Sequence, residues 1–287
     1  MASRGLRVIV LAAQRKGVTD PLATRFNVSH KCLVPLGGRP LIAHVVETVA
    51  GYSCVEDVVI SVEPDAFAAI GRALPPGNLG EAPIRCVAAA ASIADSVLAA
   101  AAGHSGPLLV TTADHALMTR VSLDAMVEAL RDHEVAIAMA RREAVLAAHP
   151  EGQRRFYSFR DGEYSNCNLY AMAHPGALRA ARVFRGGGQF AKKASRIIGA
   201  FGLLNLLLLR MRVVGLPLGM RRVSRRLGLD VVPVILADGS QAIDVDNDRT
   251  YAIVAQLLER RPGATKPVLP ERSGEVVRNR FALAAGS

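Results

Sequence analysis

The chain has 287 residues, 51% of them hydrophobic and 21% charged, with a mean hydropathy of +0.24, which excludes a mostly disordered polypeptide and allows about two average domains or one large α/β domain. No run of 18 uncharged apolar residues is present to cross a bilayer as one plain helix, so a soluble or membrane-surface protein is expected. The formal net charge of +10 is local: the 66 residues between Glu163 and Asp230 hold no acidic side chain and 12 of the 35 Lys and Arg, leaving 23 basic against 25 acidic residues elsewhere, so an anionic partner should meet that one stretch.

Residues 7–13 are aliphatic without alternation, the pattern of a strand covered on both faces. The apolar run meets Gln14-Arg15-Lys16 too soon for a secretory leader. A polar loop to Lys31 follows, then Leu33-Val34-Pro35-Leu36-Gly37-Gly38-Arg39-Pro40 and a helical pattern over residues 41–50. Strands are then expected at 55–62, 84–87, 107–112 and 135–140, alternating with helices at 64–74, 92–102 and 121–132. Strands at 156–159 and 168–173 extend the set, and after a long basic and apolar stretch the chain returns with a strand at 230–236 and a helix at 251–260.

This alternation predicts an α/β fold, a mostly parallel sheet with helices on both faces. Ligands of such sheets sit outside the carboxyl ends of strands, where the loop after Ala13 and the turn at Asp114 both fall. One domain over residues 1–260 is expected, with a basic apolar helical insertion at about 179–229 and a loosely packed extension at 261–287. Cys32, Cys54, Cys86 and Cys167 are far apart and form no C-x-x-C pair, so reduced thiols and a cytoplasmic place are expected.

Four segments carry candidate chemistry. Leu11-Ala12-Ala13-Gln14-Arg15 ends the first strand, and Lys31 precedes Pro35-Leu36-Gly37-Gly38-Arg39-Pro40-Leu41-Ile42. Thr112-Ala113-Asp114-His115 ends the 107–112 strand, and Ile243-Asp244-Val245-Asp246 precedes the last helix. In this order, over residues 7 to about 258, they resemble the MobA-like NTP transferases, with their L-A-x-G-x-G-x-R loop, K-x-L-x-x-x-x-G-x-P-L element, metal-binding Asp and closing D-x-D-T or N-x-N-T element. Gln14 departs from the commonest glycine form of the loop, whereas L-A-G-Q-R occurs in some relatives.

The resemblance implies a Rossmann-like fold of the GT-A type and a Mg²⁺-dependent transfer of a nucleoside monophosphate from an NTP to a phosphorylated acceptor, with release of pyrophosphate. Arg15 and Lys31 would stabilise the phosphates, and Leu11, Ala12, Ala13 and Gln14 would line the nucleotide. Asp114 with Asp244 or Asp246 would hold the metal through carboxylate oxygens. Ser92, Asp95 and Ser96 open a helix where similar enzymes contact base and ribose, an ordinary N-cap by Ser92 being the alternative. Asn166 and Asn168, two amides on one face of a strand entry, resemble an acceptor-lining S-N-x-N element. His30 and His115 have no metal-ligand spacing and read as surface or capping residues.

Within the acid-free stretch, residues 197–220 read IIGAFGLLNLLLLRMRVVGLPLGM, flanked by Lys192, Lys193 and Arg196 and by Arg221, Arg222, Arg225 and Arg226. This pattern suits the inner surface of an anionic membrane, which favours a lipid or lipid-precursor acceptor and CTP over GTP as donor. The alternative for the tract is a buried hairpin or homodimer interface, broken at Gly215 and Pro217. Nucleic acid fits less well, because Leu and not stacking aromatics interleaves the charges. Rival functions are a sugar-nucleotide glycosyltransferase of similar fold and a catalytically silent membrane adaptor.

Overall fold

The computed structural model describes residues 5–14, 20–74, 82–184 and 212–261. Its eight-stranded sheet runs β10 (Val231–Leu236), β7 (Val135–Arg141), β9 (Gly162–Met172), β6 (Leu108–Thr112), β1 (Leu6–Leu11), β4 (Val55–Val62) and β5 (Ile84–Ala88), with β8 (Tyr157–Phe159) paired to β9 outside this path. Neighbours are parallel except β9, which lies antiparallel to β6, β7 and β8. The mixed, mostly parallel sheet expected from the sequence is therefore present.

Alternate side chains of the central strand bury into opposite layers. Val8 and Val10 join one core with Ile42, Val45, Val46 and Val49 of α2 (Leu41–Ala50) and with Leu123 and Met126 of α5 (Arg120–Ala129). Ile9, between them, joins a second core with Val97, Ala100 and Ala101 of α4 (Ile93–Ala101). All three β1 residues are 0% exposed, which is why the segment shows no alternation: both faces of the strand are covered.

Several boundaries differ from expectation for identifiable reasons. Gly37 and Gly38 adopt left-handed φ values of +58° and +81° and close a two-residue hairpin between β2 (Pro35–Leu36) and β3 (Arg39–Pro40), a turn that favours glycine at both places. Strand β9 begins at Gly162 instead of residue 168, because it folds back on β8 through Arg160 and Asp161. An unexpected helix, α6 (Arg142–Ala148), follows β7 directly.

A helix, α7 (Leu216–Leu227), starts where the sequence places a helix break, with Gly215 as N-cap and Pro217 in the first turn. A first-turn N–H has no intrahelical acceptor, so proline loses nothing there. Gly228 ends the helix at φ +62°. Arg15, most of the 197–220 tract and residues 262–287 lie outside the described residues. No helix among the described residues is long and apolar enough to cross a membrane.

Candidate active site

The carboxyl ends of β1, β4 and β6 stand side by side, Leu11 in register with Ser61 and with Thr112. The segments leaving them are pinned together: Ala12 N–H donates to the Ser61 carbonyl and Ala113 N–H to the Leu11 carbonyl, both at 2.9 Å. Ala13 is exposed beyond this point. Gln14 then braces the loop, its N–H donating to Glu63 Oε1 at 2.8 Å and its side-chain Nε2 to the Ser29 carbonyl at 3.1 Å. The Gln14 Oε1 in turn accepts the Lys31 N–H at 3.4 Å. Glu63 was missed in the sequence, where the available signal was a charged residue placed directly after a buried strand and before Pro64.

Lys31 opens a 3-10 turn, Lys31–Leu33, and directs its ammonium to Asp114 Oδ2 at 2.5 Å and Asp246 Oδ1 at 2.9 Å. Val245 N–H donates to the Asp114 carbonyl at 3.2 Å, which lays residues 244–246 beside the end of β6. Asp246 is set by the start of α8 (Asp248–Glu259): Asn247 is the N-cap, Asn247 Oδ1 accepts from Thr250 N–H, and Thr250 Oγ1 accepts the Asp246 N–H at 2.9 Å. The capping box of Asn247 and Thr250 thereby aims Asp246.

Two carboxylates, Asp114 and Asp246, thus share one ammonium, and Asp244 stands beside them without pairing to it. Burial works against the Lys31 charge, but the Asp114 and Asp246 carboxylates outweigh it and hold the lysine above its ordinary value. Burial likewise pushes Asp114 up, and the Lys31 charge outweighs it, so Asp114 stays below the usual carboxylate range. Asp244 goes the other way: burial, then the charges of Asp114 and Asp246, raise it well above that range. Among the described residues no three His, Cys, Asp or Glu side chains stand in a ready-made cation geometry; Lys31 takes the place between Asp114 and Asp246. The donors are all oxygens, and Asp114 Oδ1 is buried without a donor, so the set fits a hard divalent cation.

Asn166 and Asn168 reach the same place from β9. Asn168 Nδ2 donates to Asp244 Oδ2 at 2.5 Å, and Asn166 Nδ2 donates to Asn168 Oδ1 at 3.1 Å and to the Tyr170 hydroxyl. Their proximity comes from an irregularity, not from simple alternation: Asn168 has φ +48°, and the pairing with β7 shifts register between Ile137 and Met139. Left-handed backbone costs a β-carbon residue about 1–2 kcal/mol. Asn168→Gly and Asn168→Ala both delete the amide, so thermal unfolding should find the alanine variant less stable than the glycine variant by about 1 kcal/mol. Equal stability would mean that the bend is unstrained.

Ser92 is the N-cap of α4, its Oγ accepting the Asp95 N–H at 3.1 Å and donating to Asp95 Oδ2 at 2.7 Å. Ser96 is buried and its Oγ accepts the Ala90 N–H at 2.9 Å. These three side chains shape the loop after β5 through local capping bonds. Of the surface or capping places expected for His30 and His115, the surface one is not found: they are 4% and 0% exposed, and His30 stands at the N-cap position of the Lys31–Leu33 turn. His115 Nδ1 meets Thr111 Oγ1 at 3.2 Å, and burial pushes its pKa down to about 4, so the ring is neutral at physiological pH.

The sequence matches the model of the MobA-like NTP transferase domain over residues 8–197. It is 31% identical over 193 residues to the bifunctional protein GlmU of Paramagnetospirillum magneticum, an alignment that spans 61% of this chain but only 40% of that protein. Among solved structures, a hypothetical transferase from Thermus thermophilus superposes with a TM-score of 0.69 at 20% identity, over 86% of this chain and 99% of that one. A 4-diphosphocytidyl-2C-methyl-D-erythritol synthase from Anaerococcus prevotii gives 0.57 at 12% identity, over 90% and 99%. A CMP:2-keto-3-deoxy-manno-octonic acid synthetase in complex with CTP gives 0.51 at 15% identity, over 89% and 98%. At these identities the likeness is one of fold, the Rossmann-like sheet of the GT-A type.

Proposed function

We propose that this chain, which belongs to the MobA-like NTP transferase family and is a nucleotidyltransferase, transfers a nucleoside monophosphate from an NTP, CTP ahead of GTP, to a phosphorylated acceptor in a Mg²⁺-dependent reaction. The observation that carries the reading is the Lys31 ammonium held between Asp114 and Asp246 at the carboxyl edge of the sheet. An acceptor phosphate oxygen attacks the α-phosphorus, the bond to the β-phosphate oxygen breaks, and pyrophosphate leaves. A phosphate acceptor is already ionised at neutral pH, so no general base is required, in keeping with a buried, neutral His115.

Lys31 stabilises the negative charge that develops on the leaving phosphates, and the loop of Leu11, Ala12, Ala13 and Gln14, with Arg15 beyond it, lies against the nucleotide. Asp114 and Asp246 would hold Mg²⁺, which supplies polarisation of the α-phosphate and neutralisation of the triphosphate. Asp244 orients Asn168, and the amides of Asn166 and Asn168 bind the acceptor. Ser92, Asp95 and Ser96 fix the loop against which base and ribose rest. One catalytic domain spans residues 1–260, and the basic excess of residues 164–229 favours a lipid or head-group precursor as acceptor at the inner face of the membrane.

A thermal-shift panel of the four NTPs, each with Mg²⁺ and with EDTA, tests this reading. A ligand at a hundred times its Kd adds about 2.7 kcal/mol to the folded state, or roughly 5–10 °C for a domain of this size. The shift should appear with CTP, vanish in EDTA, and be accompanied by pyrophosphate release once the acceptor is supplied. No shift with any NTP would sink the reading, and nucleotide binding without pyrophosphate release would point to a sugar-nucleotide enzyme.

A further inference from the structure

Helix α7 has two unlike faces. Leu216, Met220, Val223 and Leu227 recur at a spacing of about one turn and face the sheet, Leu216 being buried and Met220 and Leu227 packed on the second core. On the opposite side Leu218, Arg221 and Arg225 are exposed, Leu218 to 40%. The last-turn arginines complement the helix dipole, but that does not account for Arg221 or for an exposed leucine among arginines.

The start of the helix is fixed to the β8–β9 hairpin. Leu216 N–H donates to Asp161 Oδ1 at 2.8 Å, and Arg160 N–H donates to the Val214 carbonyl at 3.0 Å. Phe159 lies so close to Gly219 that an added β-carbon would stand 3.1 Å from its ring. On the two segments this joint ties together, Tyr157 and Val213 are 52% and 45% exposed, and Arg154, Arg155 and Arg160 are exposed as well. The acids nearby are engaged, Asp161 with Leu216 and Glu163 with Arg142 and Arg212. The result is a set of exposed apolar tips and arginines carried by α7 and by the hairpin tied to its start.

We propose that this face docks on an anionic lipid bilayer, with Tyr157, Val213 and Leu218 entering the headgroup boundary and Arg160, Arg221 and Arg225 meeting lipid phosphates. Along β9, Asn166 follows Asp161 by about 17 Å of extended chain, so docking holds the Asn166 side of the site close to the headgroups. That consequence rests on the acceptor reading above; the docking does not.

The test is co-sedimentation of the full chain, without nucleotide, with vesicles of phosphatidylcholine alone or with about one-third phosphatidylglycerol. Binding is expected only with the anionic vesicles, and it should weaken as salt is raised. Each arginine near such a surface is worth about a factor of five, so Arg221→Gln with Arg225→Gln should weaken binding by about twenty-five-fold. Leu218→Ser with Tyr157→Ser should weaken it as well. Both pairs should keep the parent's thermal stability and its Mg²⁺–NTP shift, since neither touches the carboxylate site.

No sedimentation with anionic vesicles, or unchanged sedimentation of the arginine pair, would overturn the proposal. So would a dimer in light scattering that Leu218→Ser dissolves, which would give the face to a second copy, or a loss of thermal stability in both pairs, which would give it to an internal contact. Loss of the nucleotide shift with vesicle binding intact would count against the transferase reading alone.

Discussion

Lys31→Ala is expected to lower kcat/KM for nucleotidyl transfer by about a thousand-fold, the upper end of what deleting one preorganised stabiliser of a developing oxyanion costs. The same change should destabilise the unliganded protein by about 3 kcal/mol at neutral pH, because Asp114 and Asp246 lose the ammonium that holds them at 2.5 and 2.9 Å. The pH dependence separates this from a packing defect. Asp114 is held below its ordinary value in the folded state chiefly by Lys31, against the opposing effect of burial, so it contributes stability above the unfolded value of about 4 and loses it as pH falls through the folded value. The gap between parent and variant should therefore be widest at neutral pH and shrink as pH falls toward and below about 4. Denaturant unfolding across that range checks it; a gap independent of pH would show that Lys31 acts through packing and not through charge.

The positions of Lys31 and Asp114 were legible because each sits at a boundary the fold itself marks in the sequence. Asp114 ends a buried strand, and Lys31 precedes the Gly37-Gly38 hairpin whose left-handed φ values demand glycine. The sheet was legible for a related reason: both faces of β1 are covered, so its residues form an uninterrupted aliphatic run. What the sequence concealed depends on pairing between distant segments. Nothing local announces that Glu63 receives the Gln14 N–H, or that Asn168 takes a left-handed bend to meet a carboxylate 76 positions away. Pro217 marks a helix boundary, as its sequence signal suggests, but that the boundary is a helix start tied to Asp161 through the Leu216 N–H is again a matter of distant pairing.

The three aspartates should divide into two kinds of variant. Asp244 is raised by burial and then by the charges of Asp114 and Asp246. A carboxyl whose folded pKa lies above its unfolded value of about 4 loses stability for the protein as pH rises from there through the folded value, so at neutral pH the unliganded protein bears this cost. Asp246→Asn removes one of the two repelling charges while keeping the shape, and it leaves Lys31 paired with Asp114. In EDTA it should therefore unfold at a temperature equal to or above the parent's, although its transfer rate falls by about a hundred-fold or more for want of a metal ligand. Asp244→Ala should behave differently: the Mg²⁺ concentration giving half-maximal rate stays at the parent's value, and the acceptor KM rises by about ten-fold as Asn168 loses its anchor. Unfolding temperatures in EDTA and pyrophosphate release across a Mg²⁺ series decide between them. If Asp244→Ala rather than Asp246→Asn shifts the Mg²⁺ requirement, the metal belongs to Asp114 and Asp244, and Asp246 serves only to hold Lys31 in the unliganded state.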